Sequence, residues 1–216
     1  MKVPDYPVRT MKTYHIEKAG RLSFDSALAM QQDERVRVLG GVSQGKIFLL
    51  EHDPPVITLG RRASKENFLI PEKDIVAAGY QVRRTGRGGD VTVHEPGQVV
   101  AYFVLPFRTK AVKDFVEWVM AGTACVMKDY LPDVIYDPHR PGLWIENRKI
   151  CSVGFDLTGG VSMHGIAINV ANSLRGFALV APCGMRDVIM TSLSREVNHA
   201  VHVGEIIDAL AAAYSM

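Results

Sequence analysis

The stretch Arg83-Arg84-Thr85-Gly86-Arg87-Gly88-Gly89-Asp90-Val91-Thr92-Val93-His94-Glu95-Pro96-Gly97-Gln98-Val99-Val100-Ala101-Tyr102 decides how the chain is read. Three arginines and three glycines fall within its first seven residues. Glycines in close succession let a backbone bend tightly and let another group approach it. Arginines beside them supply charge and a fixed fork of donors. Val91, Thr92 and Val93 favour a strand, and Pro96-Gly97 reads as a turn into the apolar run 99–105. The order is strand, glycine-rich bend, strand, turn, strand. That is one wall of a binding site.

Upstream, residues 13–17 suit a first strand. Ser23 is a fitting N-cap, and Phe24, Ala27, Leu28 and Gln31 lie at helical spacing, so a helix is expected over 24–38, ended by Gly40-Gly41. The apolar runs 46–51 and 56–60 flank Asp53-Pro54-Pro55 and predict a strand pair. Pro71 opens a short helix that Gly79 stops. Downstream, Val112, Phe115, Val116, Val119, Ala124 and Met127 predict a long amphipathic helix over 111–130. Residues 142–146 and 149–155 flank Asn147-Arg148 as a hairpin. A strand over 161–170 carries His164 and Asn169, a loop over 171–182 leads to Cys183, and a helix over 204–214 closes the chain. The expected class is α/β in the α+β sense: a mixed, largely antiparallel sheet with packing helices.

A chain of 216 residues suits one domain, 1–216. Hydrophobic content of 47% and charged content of 22% are ordinary for a globular protein. A net charge of +2 gives no argument for nucleic acid. Arg61, Arg62, Arg83, Arg84 and Arg87 nevertheless sit near two expected strand ends and form a basic rim suited to an acidic partner. Cys125, Cys151 and Cys183 are an odd count with no CxxC pair, which fits a reducing compartment. No stretch approaches a membrane span and the first residues lack an apolar signal region, so a cytoplasmic location is expected.

Cys183 lies between Pro182 and Gly184, which bend the chain and leave room beside the sulfur. A thiol there can attack a carbonyl once it is a thiolate, or it can be a small packed loop residue. Cys151 is the rival nucleophile, in mid-strand, where packed thiols are common. Lys149 opens a core strand. It either reaches solvent or points into a pocket, where its charge would favour a nearby thiolate and its amine could carry a proton. His94 and His164 lie on different strands; with Cys183 they could bind zinc, yet no metal-ligand spacing joins them. Asn169 could aim a donor at a developing oxyanion or simply end a strand. Gly86-x-Gly88-Gly89 lacks the Gly-Lys-Ser/Thr ending of a phosphate loop.

Together, Arg87-Gly88-Gly89-x-x-Thr92-x-His94-x-x-Gly97-Gln98-x-Val100-x-Tyr102 resembles the signature of the LipB-type octanoyltransferases of lipoate biosynthesis. Thr58-Leu59-Gly60-Arg61, Gly142-Leu143-Trp144-Ile145, Lys149-Ile150-Cys151-Ser152-Val153-Gly154, His164-Gly165-Ile166-Ala167-Ile168-Asn169-Val170 and Pro182-Cys183-Gly184 are similar to its other blocks, in order. Two positions depart: Val93 stands where an aromatic residue is common, and Glu95 where glycine is common.

The resemblance implies the fold of the biotin and lipoate protein ligase catalytic domains. It implies that Cys183 takes an octanoyl group from octanoyl-acyl carrier protein as a thioester. A lysine of a lipoyl domain, in 2-oxoacid dehydrogenase E2 subunits or the glycine-cleavage H protein, would then receive it as an amide, the first step of endogenous protein lipoylation. Lys149 would activate the thiol and act as acid and base. Arg87, Gly88, Gly89, Asp90, Val91, Thr92, Val93 and His94 would line the substrate site, with Ser152, Val153, Gly154, His164, Gly165, Ile166, Ala167 and Asn169. No ATP, metal or other cofactor is expected, and the protein is expected to act as a monomer. The alternatives are an ATP-dependent lipoate or biotin protein ligase of the same fold, an inert binding module and a zinc hydrolase.

Overall fold

A computed structural model describes residues 14–107, 111–181 and 188–215. The chain runs β1 (His15–Leu22), α1 (Phe24–Leu39), β2 (Lys46–His52), β3 (Val56–Leu59), α2 (Glu72–Ala77), β4 (Gln81–Arg84), β5 (Val91–His94), β6 (Gln98–Val104) and α3 (Val112–Lys128). It continues with β7 (Ile135–Tyr136), β8 (Gly142–Ile145), β9 (Arg148–Asp156), β10 (Met163–Asn169), β11 (Ile189–Met190), α4 (Leu193–Glu196) and α5 (Val203–Tyr214). The larger sheet has the order β1-β2-β6-β10-β9-β8-β7, with β11 beside β9; the smaller is β4-β3-β5. The pairs β1–β2, β3–β4 and β9–β11 are parallel, and the other pairings are antiparallel. The mixed α+β class is as expected.

Local chemistry explains most of the boundaries. The Ser23 hydroxyl accepts from Ser26 N–H at 3.1 Å and starts α1. Asp25 in its first turn and Arg37 in its last oppose the helix dipole. Strand faces alternate, so β2, β6 and β10 send Ile47, Leu49, Val99, Ala101, Phe103, Ile166 and Ile168 towards α3 and α5. The opposite face carries Phe48, Leu50, Val100, Tyr102 and Ala167 towards Ala27 of α1. The smaller sheet packs Ile57, Leu59, Val91 and Val93 against Ile75 of α2 and against Leu174, Phe177 and Val180.

One expected pairing is wrong. Runs 46–51 and 56–60 do not form a strand pair: β2 lies between β1 and β6, whereas β3 lies between β4 and β5. Pro54 and Pro55 withhold two backbone donors where a hairpin would close, and β3 is buried along its whole length, as an interior strand with partners on both sides is. The hairpin of β8 and β9 does form, but its turn is Glu146-Asn147, with Glu146 at φ 54°, and Arg148 already belongs to β9. The first strand extends further than 13–17, to Leu22; Thr13 lies outside the described residues. The two-residue strands β7 and β11 are too short to leave a periodic signal.

Phe103 is fully buried, with ring centroids 5.2 Å from Tyr214, 6.0 Å from Phe155 and 6.2 Å from Trp118. Phe103→Ala is expected to cost about 3–5 kcal/mol in urea unfolding. Val36→Asn, at a position 68% exposed on α1, is expected to stay within about 0.5 kcal/mol of the parent.

Candidate active site

A cavity opens between the two sheets, on the side of the larger sheet that faces α1. Its floor comes from Ser152 and Gly154 of β9 and Gly165 and Ala167 of β10. These residues pair directly, Ser152 with Ala167 and Gly154 with Gly165. Small side chains on neighbouring strands leave a trough that larger ones would fill. Thr58, Thr92 and His94 face it from the smaller sheet, and Phe24, Tyr102, Arg62 and Pro141 complete its walls.

Two breaks in strand regularity aim polar side chains into this space. The first is a bulge. Leu143 faces Cys151 and Trp144 faces Lys149, so Ile150 is an extra residue on β9. Ile150 and Cys151 both point into the main core. Lys149 therefore falls on the same side as Ser152 and Gly154, lining the cavity at 4% exposure. Strict alternation would have sent it with Cys151 into the core. A Cβ on Gly142 would come within 2.5 Å of Lys149 Cε, so a glycine there makes room for the lysine stem. Lys149 Nζ lies 5.4 Å from the centroid of the Trp144 ring.

The second break is at His164, whose φ is 62°. Ile166 and Ile168 of the same strand face the main core, yet the left-handed backbone turns the His164 ring into the cavity, 6.0 Å from Tyr102. The Gln31 side chain of α1 holds this conformation by accepting from His164 N–H at 2.7 Å.

A row of buried polar groups runs behind the wall, and its directions can be assigned. Gln98 Nε2 donates to Val93 O at 3.0 Å and to Asn169 Oδ1 at 2.9 Å. Gln98 Oε1 is thus the acceptor for His94 Nδ1–H at 2.8 Å. His94 Nε2 then accepts from the Thr58 hydroxyl at 3.4 Å, which itself accepts from Arg87 Nε at 3.2 Å and Nη2 at 2.9 Å. At the other end, Asn169 Nδ2 donates to Thr191 O at 3.0 Å and the Thr191 hydroxyl donates to Glu196 Oε1 at 2.6 Å. His52 donates from Nδ1 to Leu22 O at 3.1 Å and accepts from the Tyr102 hydroxyl at 2.7 Å.

Burial, then His52 and Arg87, hold His94 well below the ordinary imidazole range. Burial first and Arg87 second push His164 down to about 4. Both rings are neutral near pH 7. Among the described residues, no three His, Cys, Asp or Glu side chains gather as a metal site.

Of the residues expected at the substrate site, Arg87, Gly89, Asp90, Val91, Thr92, His94, Ser152, Val153, Gly154, His164, Gly165, Ile166 and Ala167 line the cavity. Gly88 sits beside it, its N–H donating to Phe155 O at 2.7 Å. Val93 points to the far side of its sheet with Ile57, because strand faces alternate. Asn169 is committed to the polar row rather than to the cavity. Arg87 lines the cavity but is no part of a rim, since it is buried and donates to Thr58 O at 2.7 Å. Arg83 pairs with Asp25 at 2.8 Å, and Arg61, Arg62 and Arg84 are exposed. Cys151 is fully buried, and burial pushes its thiol up to about 12. Cys183 lies outside the described residues, with Pro182 and Gly184. The sequence marks Phe24 only as a helix position and does not single out Pro141, whereas Thr58 and Tyr102 sit inside the quoted motifs.

Residues 25–215 match the lipoyl protein ligase A/B catalytic domain family. The chain belongs to that family. An octanoyltransferase of Roseiflexus sp. is 36% identical over 212 residues, covering 94% of this chain and 85% of its own length. One from Geobacter metallireducens is 35% identical over 193 residues, covering 88% and 87%. One from Myxococcus xanthus is 35% identical over 209 residues; the match covers 93% of this chain but only 58% of that longer protein. Within the family the chain thus groups with the octanoyltransferases, and it is an acyltransferase. Its fold is similar to that of lipoate-protein ligase A bound with ATP, at a TM-score of 0.75 and 14% identity over 94% of this chain and 85% of that one. Biotin protein ligase from Aquifex aeolicus is similar at 0.55 and 14%, over 95% and 69%.

The histidines make stability depend on pH. An unfolded histidine titrates near 6.5, whereas His164 in the native state titrates near 4. Between those values the unfolded chain holds a proton that the native ring does not, so stability is full above 6.5 and is lost as pH falls towards 4. In urea unfolding, the advantage of the parent over His164→Asn is expected to shrink by about 2 kcal/mol from about pH 7 to about pH 5. A gap that stays constant would mean that His164 charges in the folded protein as it does in water.

Proposed function

We propose that the protein carries an octanoyl group from octanoyl-acyl carrier protein to a lysine amine of a lipoyl domain, through a thioester on Cys183. The lipoyl domains are those of 2-oxoacid dehydrogenase E2 subunits or the glycine-cleavage H protein, and the chain acts as one catalytic domain in a reducing cytoplasm. The observation that carries this reading is the position of Lys149: a bulge sets its amine on an apolar trough floored by small residues. The described residues that bracket Cys183 in the chain are anchored on both sides. Met190 of β11 pairs with Lys149, and Ala181 N–H donates to Asn67 O at 2.7 Å.

In the first half-reaction the Lys149 amine takes the thiol proton and the Cys183 thiolate attacks the octanoyl carbonyl. The carrier's sulfur leaves and takes the proton from Lys149, so one thioester replaces another. In the second half, the acceptor's amine attacks the acyl-enzyme, an amide forms, and the proton it sheds returns through Lys149 to the Cys183 sulfur. The thioester is already activated, so no ATP or metal is needed. The octanoyl tail would lie along Ser152, Ala167, Gly154 and Gly165. At about 0.8 kcal/mol per buried methylene, its chain is worth roughly 5 kcal/mol of binding. The exposed Arg61, Arg62 and Arg84 would face the acidic carrier.

Mixing the protein with octanoyl-carrier protein should add one octanoyl mass to the intact chain, lost in Cys183→Ala and kept in Cys151→Ala. The reverse pattern would move the nucleophile to Cys151. Lys149→Ala should load slowly at neutral pH and recover as pH rises. A rate equal to the parent's at all pH values would remove the lysine from the chemistry.

A further inference from the structure

Glu95 stands in the turn between β5 and β6, where the octanoyltransferase signature commonly has glycine, and it is only 3% exposed. Its Oε1 accepts from the Tyr80 hydroxyl at 2.6 Å and from Gly176 N–H at 2.8 Å. Its Oε2 accepts from Leu174 N–H at 2.9 Å, the Ser173 hydroxyl at 3.2 Å and the Asn172 side-chain amide at 3.3 Å. All five donors are uncharged, and four of them come from the run 172–176. A carboxylate leaves water only where donors replace the solvent it loses. Here it gathers those donors from the start of the segment that leads to Cys183.

The run is gripped closely. Leu174 is held at φ 63°, in the left-handed region that a leucine seldom occupies. A Cβ on Gly176 would lie 2.6 Å from Val93 Cγ1 and 3.0 Å from Glu95 Oε1, so the backbone is pressed against the carboxylate. On the other side of the turn, Gly97 O accepts from Ala171 N–H at 2.8 Å. The far end of the segment is fastened separately, Leu69 N–H donating to Leu179 O at 3.0 Å and Ala181 N–H to Asn67 O at 2.7 Å. Asn172 Nδ2 also donates to Asn169 Oδ1 at 3.1 Å, the oxygen that Gln98 uses at 2.9 Å. The clamp is therefore joined to the row that orients His94 on the cavity wall.

We propose that Glu95 is a positioning residue for acyl-enzyme formation. Its carboxylate fixes the run 172–176, the start of the segment that leads through Leu179 and Ala181 towards Cys183. The inference rests on the Cys183 chemistry proposed above. It concerns how fast the thiol meets the bound thioester, and not how tightly the cavity holds the chain.

Glu95→Gln tests it, because each carboxylate oxygen faces one backbone N–H. Whichever way the new amide turns, Leu174 or Gly176 must meet an NH2 group. Single-turnover loading from octanoyl-carrier protein should slow by roughly ten-fold or more at saturating donor. The half-saturating donor concentration, and octanoate affinity by calorimetry, should match the parent. Loading at the parental rate overturns the inference, and so does an equal loss of octanoate affinity, which would mark a collapsed cavity. A parent protein that forms no Cys183 adduct would instead sink the underlying chemistry. Should Glu95→Gln not fold, Tyr80→Phe removes one donor and keeps both backbone bonds. It should slow loading by about two- to five-fold with octanoate affinity intact, and a parental rate in that variant overturns the inference as well.

Discussion

A side chain changes sheet face out of turn only where the strand's two-residue period is interrupted. The site depends on two such interruptions in neighbouring strands. Ile150 is the extra residue that returns Lys149 to the cavity side of β9, and the left-handed backbone of His164 turns its ring the same way on β10. Without the bulge, the Lys149 side chain would fall on the core side of β9 with Cys151. The helix α1 supports the arrangement from above, because the Gln31 side chain occupies the His164 N–H.

The second constraint is that buried polar atoms need partners. The cavity wall meets it with a directional row from Arg87 through Thr58, His94, Gln98 and Asn169 to Thr191 and Glu196. Each assignment in that row forces the next, so the His94 ring has one tautomer and one orientation. Such a wall is stiff, and its imidazoles are neutral near pH 7. An apolar acyl chain can lie against it without meeting a competing charge from the imidazoles. The buried Arg87 serves the scaffold, and the exposed Arg61, Arg62 and Arg84 lie just after β3 and at the end of β4.

Much of this was legible in the sequence. The helical spacing from Phe24 and from Val112, the turn at Pro96-Gly97 and the hairpin around residues 146–148 are local patterns, and each formed. Residues of the motifs 87–94, 152–154 and 164–167 line one cavity, apart from Gly88, which lies alongside, and Val93, which faces the other core. The failed pairing of runs 46–51 and 56–60 has a different origin. Both runs are apolar, and apolarity alone does not say which sheet a strand will enter.

The sequence by itself determined most of the elements, the family and the motif residues that are candidates for the chemistry, because spacing and residue type are local properties. Only the tertiary structure decided which way those residues point. A one-residue bulge and a single left-handed φ reverse the face of a side chain and leave no mark in composition or periodicity. The same holds for Glu95. As a letter it is a departure from the family pattern; in the fold its carboxylate meets five donors, four of them nearly eighty residues further along the chain. Contacts over that separation exist only once both sheets have closed.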